Sequence, residues 1–170
     1  MSPPATNAIL VATLVLTIAL DVAFLLTAGD PVDPQVAGAF LAVFTGLFAL
    51  RVIGQVVVLL AAPGWLPPMD RWNLMPYRLL LPIQLLFLAV MSWIWIGLLA
   101  DDGFVAEPRR GFGLFVVGLS VVYAGSMVVR YAVRMWRRPA ERWFGGAIPI
   151  VFHVVLASFV FVYGIFHASY

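Results

Sequence analysis

Residues 130–153 read RYAVRMWRRPAERWFGGAIPIVFH. The stretch carries five arginines, Arg130, Arg134, Arg137, Arg138 and Arg142, against one acid, Glu141. Long apolar runs flank it on both sides. A guanidinium at the centre of a bilayer costs about 3 kcal/mol or more, so this segment does not cross hydrocarbon. It divides two spans and sets the orientation of the chain around it.

The rest of the sequence fits that reading. Of 170 residues, 64% are hydrophobic and 11% are charged, whereas soluble domains carry about a quarter of their residues as charges. Apolar runs reach the roughly 20 residues that span a bilayer. The expected fold is an all-α integral membrane protein of five transmembrane helices, over residues 7–27, 36–61, 77–99, 112–133 and 148–167. The amino terminus, MSPPATNAIL, lacks the basic region of a secretory signal, so the first apolar run is expected to remain as a helix.

Between the spans lie a turn-rich acidic loop, GDPVDPQ (29–35), a Pro- and Trp-rich segment, PGWLPPMDRWNLMP (63–76), and a loop of mixed sign, DDGFVAEPRRG (101–111). Arginines concentrate on the cytoplasmic side of spans. The loop between spans 4 and 5 holds most of them and is expected inside, as are the loop with Arg71 and Arg78 and the amino terminus. The carboxyl terminus is then outside. There is no lysine, and Ala, Val and Gly abound, as in GC-rich bacterial genomes. The expected location is a bacterial inner (cytoplasmic) membrane.

Other classes fall away. Without cysteine there are no disulfides, thiolate nucleophiles, iron–sulfur clusters or cysteine zinc sites. The basic cluster sits between two spans, where anionic lipid and not nucleic acid is the nearest partner. Arg134, Arg137, Arg138 and Arg142 form the expected lipid or partner face.

The arginine loop has an earlier copy. Trp65–Trp72 and Trp136–Trp143 both read W-x-x-P-x-[DE]-R-W, offset by 71 residues. A single membrane domain, 1–170, is therefore expected as one lone helix plus two repeated hairpins, 36–100 and 107–170. Parallel repeats of this kind place ligand sites at their interface. Gly38, Ala42 and Gly46 form a small-residue series suited to close helix packing.

Ionisable residues inside spans are costly and point to function. Arg51 and Gln55 share a helix face, four residues apart. Tyr77 and Gln84 on span 3, Ser126 and Arg130 on span 4 and His153 on span 5 belong to the same half of the membrane. Together they are the expected lining of a pocket for an anionic, lipid-like or quinone-like amphiphile. In the other half, Asp21 is expected near Tyr163, His167 or Arg109, as a proton- or cation-handling carboxylate. His153 and His167 are fourteen residues apart on nearly one face, with Ala157 and Gly164 leaving room between them. That spacing is similar to the ligand-bearing helices of cytochrome b proteins. The resemblance implies haem held in a symmetric dimer, or with a methionine such as Met127 as the second ligand.

No paired acids, histidine cluster or Ser/His/Asp set for acid/base or metal chemistry is legible. The leading expectation is a non-enzymatic membrane protein that binds a lipid- or quinone-like amphiphile, or an accessory subunit of a larger membrane complex. A carrier or channel using Asp21 and Arg51, forming a homo-oligomer, is the alternative, and a haem-bearing electron-transfer subunit is the third.

Overall fold

The computed structural model describes residues 4–64, 66, 77–101, 103–137 and 147–170. Among them the chain is all helix: α1 (Pro4–Thr27), α2 (Pro34–Ala61), α3 (Tyr77–Ala100), α4 (Arg110–Arg137) and α5 (Ala147–Ala168). Each is long and apolar enough to cross a membrane. Helices of 22 to 28 residues reach about 33–42 Å at 1.5 Å per residue. The five helices thus fit an integral membrane protein. Most of both W-x-x-P-x-[DE]-R-W copies, with Arg138 and Arg142, lies outside the described residues, as does the side chain of Tyr77.

The largest shift from the expected spans is at the end of α4, which continues to Arg137. Hydropathy marks where apolar residues stop, but Arg and Met are good helix formers, so the helix outruns its hydrocarbon segment. Its last turn carries Arg134 and Arg137, favourably placed at the negative end of the helix dipole. The acidic loop before α2 has a definite job. Asp33 is the N-cap, accepting from the backbone N–H of Gln35 at 2.7 Å and Val36 at 3.4 Å, with Pro34 next. At the other end, Ala62 takes a left-handed conformation (φ 41°, ψ 51°) and donates to the Val58 carbonyl at 3.1 Å, before Pro63 stops the helix.

Helix α5 is the hub. α1, α2 and α4 all pack on it, while α3 attaches chiefly to α2. The hairpins α2–α3 and α4–α5 are thus joined through α2 and α5, with α1 laid against that central pair. α5 can serve this way because it is apolar on nearly every side and small at selected points. At Gly164 an added Cβ would meet the Val117 backbone nitrogen at 2.8 Å, and at Gly113 the Ala168 nitrogen at 2.3 Å. These two glycines let α4 and α5 touch backbone to backbone. The small-residue series on α2 is used differently from expectation. Gly38 meets Leu98 and Leu99 of α3, but Gly46 faces open space.

The end of the bundle that holds the α1–α2 turn and the carboxyl terminus is tied together. Ser169 Oγ accepts from the Val32 N–H at 3.0 Å, and Tyr170 donates to the Val32 carbonyl at 3.3 Å. Val105 and Ala106 of the α3–α4 loop are buried there too. The opposite end is the amino-terminal end, where α2 and α4 finish and α3 and α5 begin.

Candidate functional site

The site is built from α2, α3, α4 and α5. On α2 the buried stripe Phe44, Phe48, Val52 and Val58 also contains Arg51 and Gln55, each 5% exposed. A helix that buries this stripe against α5 takes Arg51 with it. The guanidinium carbon lies 5.6 Å from the centroid of the Phe152 ring, and its Nε has no hydrogen-bond partner. Among the described residues the salt bridge is Arg109–Glu107 at 2.5 Å, so no carboxylate there neutralises Arg51.

α4 and α5 add a polar pair. Tyr123 Oη and His153 Nδ1 are 2.5 Å apart, with the rings edge to face at 5.8 Å. Arg51 and Arg130 both lie close enough for their charge to be felt at Tyr123 and His153. The bond between Tyr123 and His153 shares one proton and leaves the far imidazole nitrogen as a further donor or acceptor.

α3 contributes Gln84, 3% exposed, on one stripe with Met91 and Leu98. Neither its amide nitrogen nor its amide oxygen has a partner. Gly38 packs against Leu98, and fourteen residues along each antiparallel helix from that contact Val52 stands level with Gln84. Gln84 is therefore at the height of Arg51 and Gln55. Two neighbouring helices thus bury unsatisfied polar groups at one depth, each costing about 1–3 kcal/mol.

The structure sorts the expected residues. Arg51, Gln55, Gln84 and His153 face the interior. Ser126 does not: it is exposed, and its hydroxyl donates to the Tyr123 carbonyl of its own helix at 2.7 Å. Arg130 is exposed on the flank of the site. Tyr123 was missed by sequence reasoning. It lies seven residues before Arg130 on the same helix face, and its long side chain brings a polar tip to α5.

Asp21 is not joined to Tyr163, His167 or Arg109. Ser158 Oγ donates to Asp21 Oδ2 at 2.7 Å, fixing α1 to the middle of α5, and Asp21 Oδ1 is buried without a partner. Ser158 was the overlooked signal, a small hydroxyl in an otherwise apolar run. At about 100° per residue, Ser158 and His153 are about 140° apart around α5. Asp21 and the Arg51 group therefore stand on different faces of that helix.

His167 and Tyr163 belong to an aromatic cluster. His167 is boxed by Tyr163 at 4.5 Å, Phe166 at 5.0 Å and Phe112 at 5.2 Å. Neither ring nitrogen makes a hydrogen bond of good geometry, though the Glu107 backbone lies beside the ring. Tyr163 donates to the Val105 carbonyl at 3.4 Å. The room expected between the two histidines is taken by α4, whose backbone meets Gly164. His153 spends its Nδ1 on Tyr123. Among the described residues, that face of α5 is a helix–helix seam with α4.

Among the described residues no group of three or more His, Asp or Glu is placed to hold a metal ion. Comparison with known protein families, curated proteins and solved structures finds no match to this chain. The site's own geometry therefore carries the functional reading.

Proposed function

We propose that this chain is a small, non-enzymatic membrane protein that binds an amphiphile whose head is anionic or carbonyl-bearing, lipid-like or quinone-like. The head sits between Arg51, Gln84 and the Tyr123–His153 pair. The observation that supports this most is the pair of buried, unsatisfied groups at one level, Arg51 Nε and the Gln84 amide. Buried polar groups are normally hydrogen-bonded, and an uncompensated buried charge is costlier still. A carboxylate, phosphate or carbonyl oxygen satisfies Arg51, and the amide of Gln84 donates to or accepts from the same head. An apolar tail lies naturally along the surrounding Leu, Val and Phe side chains.

With the arginine-rich end of the bundle in the cytoplasm, the site lies in the cytoplasmic half of a bacterial inner membrane. Arg51, Gln84 and His153 all stand nearer that end of their helices.

Native mass spectrometry of the protein extracted in mild detergent tests the reading. The expected result is at least one small-mass adduct on the wild type that is selectively lost in Arg51→Met and weakened in Gln84→Leu. A wild type without adduct, or adducts unchanged in both variants, would overturn it. A partner protein in place of a small molecule would favour the accessory-subunit reading.

A further inference from the structure

On the opposite side of α5 from Arg51, the starts of α1 and α5 and the end of α4 enclose an apolar groove of about 390 Å³. Leu10 and Leu14 form one wall, Met127 and Tyr131 the other, and Ile150 and Val154 the floor. We propose that this groove holds one acyl chain of an anionic phospholipid, whose phosphate rests against the arginine-bearing last turn of α4.

The volume falls within the roughly 300–1,000 Å³ range of small-ligand sites. The lining is almost wholly apolar, as an acyl chain requires. The groove extends to Ala147, the first residue of α5, so it reaches toward the amino-terminal end of the bundle, where a headgroup would lie. Charge selects the headgroup. Arg134 is seven residues beyond Met127, two turns along and within about 20° of the same face, which sets it above the groove mouth. Arg137 follows in the same turn. The first turns of α1 and α5, on the other sides of the mouth, carry no acid. Guanidinium and phosphate pair strongly and with defined geometry. The site does not depend on the Arg51 reading, since it uses another face of α5.

The test is native mass spectrometry of the detergent-purified protein with phosphatidylglycerol or phosphatidylcholine added at equal concentration. Wild type is expected to retain phosphatidylglycerol about fivefold better for each arginine engaged. Arg134→Gln reduces phosphatidylglycerol binding by about that factor and leaves phosphatidylcholine unchanged. Val128, 66% exposed on the groove rim, is replaced by Trp to fill it, and both adducts disappear. Val11→Trp, on the facing wall, serves the same purpose if the first variant does not fold by circular dichroism. Arg51→Met leaves the phosphatidylglycerol adduct intact. Equal binding of the two lipids, adducts that survive a folded groove-filling variant, or a protein dimer lost on filling the groove would each overturn the proposal.

Discussion

The two histidines of α5 face the same neighbour, α4, yet sit in opposite kinds of surroundings. Around His167 the seam is tight and aromatic. Gly113 and Gly164 bring the helix backbones together, and three aromatic rings enclose an imidazole with both nitrogens unpartnered. Around His153 the seam is polar. Tyr123 bonds the ring, Arg51 and Arg130 act on it, and Gln84 waits unsatisfied at a similar depth. Sequence spacing makes the two histidines look like a pair. Their contacts show that one fills space while the other belongs to a hydrogen-bonding group.

The steepest way to break the contrast is at the glycines. Gly113→Ala forces a Cβ against the Ala168 nitrogen at 2.3 Å and the His167 carbonyl carbon at 2.6 Å. Backbone atoms cannot rotate aside, so the loss of stability is expected at or above about 3 kcal/mol. Gly164→Ala, whose first contact is at 2.8 Å, should cost less. Thermal unfolding in detergent reads both, and a Gly113→Ala protein as stable as wild type would contradict the backbone contact.

The polar half responds differently. Arg51→Met is expected to weaken amphiphile retention about 10- to 100-fold, the worth of hydrogen bonds to a charged group. Its stability stays within about 1 kcal/mol of wild type, because a lost cation–π contact is offset by removal of a buried charge. A large fall in stability with unchanged retention would make Arg51 a structural residue instead.

Smaller still is the link between α4 and α5. Tyr123→Phe and His153→Phe each leave a half-buried partner unpaired, and the double variant removes both. A double-mutant cycle should give a coupling of about 0.6–1.7 kcal/mol, the range seen for hydrogen bonds between membrane helices. Strict additivity of the two changes would show that the bond contributes nothing. The smallest effect is expected at His167→Phe. An unpartnered imidazole among aromatic rings is replaced by a ring of similar shape, so unfolding should occur at the wild-type temperature or slightly above it.

Much of this fold was legible because a bilayer simplifies the physics. A helix in hydrocarbon must satisfy its own backbone, so long apolar runs translate directly into α1 to α5. Helix α4 runs four residues past the apolar span, to Arg137, because hydropathy and helicity part company at Arg134 and Arg137. The site was legible in kind and not in arrangement. Arg51, Gln55, Gln84 and His153 announce themselves as polar groups in apolar runs. Which way each faces depends on helix rotation, which hydropathy does not encode. Ser126 and Tyr123 are three residues apart, yet one turns to the outside and the other to the core. Asp21 found Ser158 because α1 packs in parallel beside α5, a neighbour relation set by close packing at α5 and not by order along the chain.

The measurement that bears most directly on the central claim compares three proteins in one native mass spectrometry experiment: wild type, Arg51→Met and His167→Phe. Wild type and His167→Phe are expected to carry an amphiphile besides the groove phospholipid, and Arg51→Met only the groove phospholipid. If Arg51→Met keeps the amphiphile while His167→Phe loses it, the functional half of the α4–α5 seam has been assigned to the wrong histidine.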